Sequence, residues 1–109
     1  MTPEKNGYCI VLCTCPTDDD ADMLAQGLVE ARLAACVQIM PIRSFYTWKG
    51  EVHRDEERLL LIKALTALYP LIEDFISQNH PYEVPEIVRV PVEAGLEKYL
   101  NWIDSVSRE

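Results

Sequence analysis

The sequence predicts an α+β fold: a split βαβ arrangement, βαββαβ plus a C-terminal helix, with an antiparallel sheet and helices on one face. Three observations point there. Short apolar runs of strand character alternate with stretches whose apolar residues recur every three or four positions. Two long strand-like segments are separated only by Lys49-Gly50, a hairpin signal. A chain of 109 residues supplies a single core. One domain is therefore expected over 8–109, after a short polar extension at 1–7.

Tyr8 to Thr14 is apolar and bounded by Gly7 and Pro16, which marks a buried strand. Thr17 before Asp18, Asp19 and Asp20 reads as a helix cap with carboxylates at the positive helix end, rather than as a metal cluster. Ala21, Leu24, Leu28 and Ala31 then share a helical face, and Arg32 suits the last turn. Cys36 to Trp48 and Glu51 to Lys63 form the hairpin; a two-residue loop sets Trp48 opposite Glu51, Tyr46 opposite His53 and Ile42 opposite Glu57. Pro41 has no N–H and belongs at an edge or a bulge. A dozen residues at strand spacing reach roughly 40 Å, longer than a body of this size, so the arm with Phe45, Tyr46 and Trp48 calls for a second subunit to cover it. Leu68, Leu71, Ile72 and Phe75 mark another helix, with Pro70 in its first turn. Ile87 to Val92 is the fourth strand, and Leu96, Tyr99, Leu100 and Ile103 give the closing helix. Leu59 to Ile62 is apolar on both faces of its strand, so the sheet face away from the helices also needs a partner.

Ten basic residues against eighteen acidic ones leave a net charge of -8. That argues against nucleic acid or an anionic membrane surface as partner. No run reaches the ~18 apolar residues of a membrane span, and the first residues lack the apolar core of a signal peptide. A cytoplasmic location is expected, where the four cysteines stay reduced.

Two groups of residues can carry chemistry. Cys9, Cys13 and Cys15 share one face of the first strand. At about 7 Å between alternate residues, Cys13 and Cys15 are too far apart for a relaxed disulfide and need a third ligand to hold a metal. His80 is the other soft ligand; its companion His53 lies out on the arm. It opens the stiff segment His80-Pro81-Tyr82-Glu83-Val84-Pro85-Glu86, which serves either as a rigid connector or as a ligand-facing loop. The second group is polar and aromatic: Trp48, Glu57, Lys63, Tyr82, Glu83 and Trp102. Lys63 either neutralises a carboxylate structurally or lines a small-molecule cleft beside Tyr82 and the indoles.

The His80–Glu86 segment, Leu33-Ala34-Ala35-Cys36-Val37, Ser44-Phe45-Tyr46-Thr47-Trp48-Lys49-Gly50 and Tyr99-Leu100-Asn101-Trp102 together resemble the CutA family, the divalent-cation tolerance proteins. The likeness runs from about Tyr8 to about Ser105. It implies a homotrimer of ferredoxin-like subunits with clefts between them, an architecture shared with the PII signalling proteins. It also implies copper, or another divalent metal ion, at the cysteine before the Thr-x-Pro turn and the histidine before Pro-Tyr, here Cys13 and His80. Some members carry two consecutive histidines there; this chain has Asn79 before His80. The leading expectation is a metal-ion-binding trimer contributing to cation tolerance. The alternative is a PII-like sensor binding a small ligand in its clefts. The chain shows no nucleophile elbow, no HExxH and no phosphate-cradling glycine loop, and is not expected to be an enzyme.

Overall fold

The computed structural model describes residues 7–109. Apart from Gly7, the extension expected at 1–7 lies outside the described residues. Strand β1 (Tyr8–Cys15) is followed by helix α1 (Asp18–Glu30), strands β2 (Cys36–Trp48) and β3 (Glu51–Leu65), helix α2 (Tyr69–Asn79), strand β4 (Ile87–Val92) and helix α3 (Glu97–Val106). The sheet order is β2-β3-β1-β4, every pair antiparallel. This is the split βαβ arrangement expected.

Local chemistry explains the boundaries. The Thr17 hydroxyl accepts from the Asp20 amide at 3.1 Å and caps α1, as the threonine–aspartate pattern predicts. Pro70 sits in the first turn of α2, where its missing N–H costs nothing. Both remaining strand prolines lie on edges: Pro41 in β2, opposite Arg58, and Pro91 in β4, opposite Cys9. Lys49 and Gly50 turn the hairpin with φ of 52° and 82°, and the pairing follows the expected register, Trp48 with Glu51, Tyr46 with His53, Ile42 with Glu57.

The core lies between the sheet and α1 and α2. Cys9, Val11, Cys13 and Cys15 of β1 and Leu60, Ile62 and Ala64 of β3 point into it, meeting Leu24, Leu28, Ile72 and Ile76. Cys9, Cys13 and Cys15 do share one face. Helix α3 closes the end of the sheet, where the phenol of Tyr8 donates to Asp104. The opposite sheet face carries Ile10, Leu12, Leu59 and Leu61 only half buried, with Val88 and Val90 exposed. The arm stretches the molecule to 47 × 25 × 22 Å. Its Phe45 is 65% exposed and its Val52 77%, so the arm reaches past anything this subunit can cover. Among the described residues, no helix is long and apolar enough to cross a membrane.

Candidate metal centre and adjoining cleft

The His80–Glu86 segment wraps around the end of the sheet and serves both of its faces. On the covered side, the sulfurs of Cys13 and Cys15 and a ring nitrogen of His80 all lie within 4.8 Å of one another. The Cys15 sulfur is 3.8 Å from His80 Nε2. Tetrahedral ligands at metal–sulfur and metal–nitrogen bond lengths stand about 3.6 Å apart, so this pair is already spaced for a shared ion. Cys15 supplies what the sequence reading lacked. Cys13 and Cys15 belong to one group with His80, because β1 ends here and the loop from α2 returns over its last residue.

The donors are tuned unequally. The Cys13 thiol donates to the Thr14 carbonyl at 3.8 Å, and the neighbouring Cys15 sulfur, with burial adding to the effect, raises the pKa of Cys13. The neighbouring Cys13 thiol lowers the pKa of Cys15, so Cys15 is the readier thiolate. All four cysteines are free. His80 is held at both nitrogens: Nδ1 accepts from the Tyr82 amide at 3.1 Å, and Nε2 lies 2.7 Å from the Thr14 carbonyl. Hydrogen bonding therefore assigns the ring proton to Nε2, donating to Thr14.

On the other side of the sheet lies a cleft of ≈ 690 Å³. Trp48 and Tyr46 from β2, Glu57 from β3, and Tyr82 and Glu83 from the loop line it. Its central contact is the Tyr82 hydroxyl donating to Glu57 Oε2 at 2.7 Å. Burial, and then this carboxylate, raise the Tyr82 pKa well above the usual phenol range. Glu57 is 6% exposed. The stiff loop is thus more than a connector, since it forms one wall.

Within a single chain, Lys63 and Trp102 do not line this cleft. Six strand residues separate Lys63 from Glu57, about 20 Å. The Lys63 ammonium instead stands 5.8 Å from the ring centroid of Tyr99, itself 5.7 Å from Trp102, so these three gather at α3. Strand parity put Lys63 and Glu57 on one face but could not bring them together. Tyr46 and Glu86 also line the cleft and were not singled out; the hairpin register held the signal for Tyr46, which sits two residues from Trp48 on the same face.

The chain resembles known proteins over most of its length. Residues 9–106 match the family model for CutA1 divalent ion tolerance protein. The divalent-cation tolerance protein CutA of Thermus thermophilus is 46% identical over 95 residues, covering 86% of this chain and 92% of that protein. Protein CutA of Mus musculus is 44% identical over 95 residues, covering 86% of this chain; the chain spans only 54% of that longer protein, and 53% of its human counterpart. A solved structure of a Thermus thermophilus divalent cation tolerance protein superposes with a TM-score of 0.90 at 43% identity, covering 93% of this chain and 99% of that one. The CutA1 structure from Oryza sativa gives 0.92 at 38% identity, covering 94% and 95%.

Proposed function

This chain belongs to the CutA1 divalent ion tolerance family, and from that premise we propose that it acts by binding a thiophilic metal ion, copper foremost, at Cys13, Cys15 and His80. The observation that carries the reading is the convergence of two sulfurs and one imidazole nitrogen at the end of β1. Thiolate and imidazole are a soft donor set, suited to copper or zinc rather than to calcium or magnesium. A bound ion would supply the charge that keeps both thiolates deprotonated. Cys15, whose pKa is lowered, would be the first of the two to bind as thiolate, and the ion's charge would offset the raised pKa of Cys13.

His80 ties that event to the loop. A metal ion held at Nε2 would require the proton now donated to Thr14 to leave that nitrogen, and its transfer to Nδ1 would cost the Tyr82 amide its acceptor. Metal arrival on this reading loosens Tyr82 and so reaches the cleft wall.

We read the protein as a binding protein, a cytoplasmic homotrimer, rather than an enzyme. The half-buried sheet face and the stranded arm support association, and the four free thiols suit a reducing compartment. A second reading is favoured by the ≈ 690 Å³ cleft, a size that suits a small organic ligand, as in a PII-like sensor.

The test is a competition titration of copper(I) and zinc against a chromophoric chelator, with Cys13→Ala, Cys15→Ala, His80→Ala and the triple variant. The expected result is that each single change weakens binding by about tenfold or more, and that amide exchange at Tyr82 quickens on metal addition. Equal affinity in the wild-type protein and the triple variant would end the metal reading.

A further inference from the structure

The cleft carries charge of one sign. Glu57, Glu83 and Glu86 line it, and among the described residues no lysine, arginine or histidine does. Glu57 is the informative residue. It is buried, it is held through one oxygen by a neutral phenol, and among the described residues no cationic side chain pairs with it. Its second oxygen has no partner among the described residues and is not closed off from solvent, so it is open to a counter-charge entering the cleft.

The remaining walls are aromatic. Both phenol hydroxyls are engaged, Tyr82 on Glu57 and Tyr46 on Asp55, so these two residues offer the ligand their rings rather than a donor. Trp48 already receives a cation on its face, with the Lys49 ammonium 5.9 Å from the ring centroid. A bare metal ion fits poorly. Among the described residues only Cys13, Cys15 and His80 converge closely enough to cage one, and the cleft carboxylates do not. Aromatic faces around a buried carboxylate suit a cation that brings its own apolar surface.

We propose that the cleft binds a small organic cation of the alkylammonium class, with Glu57 as counter-ion and the rings of Tyr46, Trp48 and Tyr82 as walls. This rests on the small-ligand reading of the cleft and does not require a metal ion to be bound.

The experiment uses metal-free protein and three probes of similar shape: choline, its neutral carbon analogue 3,3-dimethyl-1-butanol, and the anion 4,4-dimethylpentanoate. Binding is read by calorimetry and by Trp48 fluorescence in a Trp102→Phe background. Choline is expected to bind, with the alcohol weaker by about tenfold or more and the anion weaker still. Glu57→Gln, and Trp48→Leu as a variant that leaves the Tyr82–Glu57 bond in place, are each expected to cost choline about tenfold. If the alcohol or the anion binds as well as choline, the cleft reading stands and the cation class falls. If none of the three binds, both fall. A Glu57→Gln protein that melts lower while the wild type ignores choline would place a second copy's cation at Glu57 and overturn the proposal.

Discussion

Tyr8 begins the first strand, yet its hydroxyl belongs to the last helix, where it donates to Asp104. That bond, aided by burial and by the aspartate charge, pushes the Tyr8 pKa up to about 12. A phenol whose pKa is raised on folding stabilises the folded state only while protonated. Its contribution is complete below about pH 10 and disappears as pH climbs from there through about 12. We expect α3 to loosen in that window, read as a change in Trp102 fluorescence in a Trp48→Phe background. Tyr8→Phe should remove the step, and the same step persisting in Tyr8→Phe would refute the assignment. Arg32 secures α3 from the other side. It stands in the left-handed region at φ 60°, a position where glycine usually ends a helix, while its guanidinium donates to the carbonyls of Val106 and Ser107. The basic residue expected to favour the last turn of α1 by its charge is in fact a clamp on a distant helix. Nothing in local sequence announces that, because the partner carbonyls lie more than seventy residues away.

At the scale of elements, the long hairpin depends on its turn. Gly50 adopts φ 82°, and a methyl group added there would meet nothing within 4 Å. Gly50→Ala is therefore a test of backbone conformation alone, expected to cost about 1 kcal/mol and to lower the melting temperature without changing the contacts of the arm. An unchanged melting temperature would mean that the turn conformation contributes nothing to the arm's stability. Elements of this kind were legible from sequence because their signals are local. Lys49-Gly50 set the hairpin register, Thr17 with Asp20 set the start of α1, and Pro70 set the start of α2. The candidate site was half legible for the same reason. Parity put Cys13 and Cys15 on one face, and the two prolines marked the loop as stiff. That His80 closes on Cys15 depends on how α2 returns to the end of β1, which is a tertiary fact. The position of Lys63 depends on tertiary structure in the same way. A shared strand face is a direction, and six residues of strand carried the ammonium away from Glu57 to the ring of Tyr99.

The whole molecule is a sheet with one face covered and the other left open. Leu61 stands near the middle of the open face, paired with Leu12 on one side and Gln38 on the other, and is only half buried by its own chain. Leu12 and Leu59 flank it at similar burial, with Val88 and Val90 beyond at 47% and 39% exposed. A net charge of -8 keeps such chains apart in general, so association needs a strong local gain, and a contiguous apolar face can give it. In a threefold arrangement each substitution on that face is made three times around one axis. Leu61→Lys would then bring three ammonium groups into an apolar interface, each costing several kcal/mol if desolvated without a partner. We expect the wild-type protein to be a trimer by native mass spectrometry at micromolar concentration, and Leu61→Lys to be a monomer that keeps its far-ultraviolet circular dichroism. Val90→Lys, on an edge strand, offers a second test on the same face should Leu61→Lys not fold. A stable trimer in both lysine variants would place the interface elsewhere, with the exposed arm and its Phe45, Tyr46 and Trp48 the next surface to substitute.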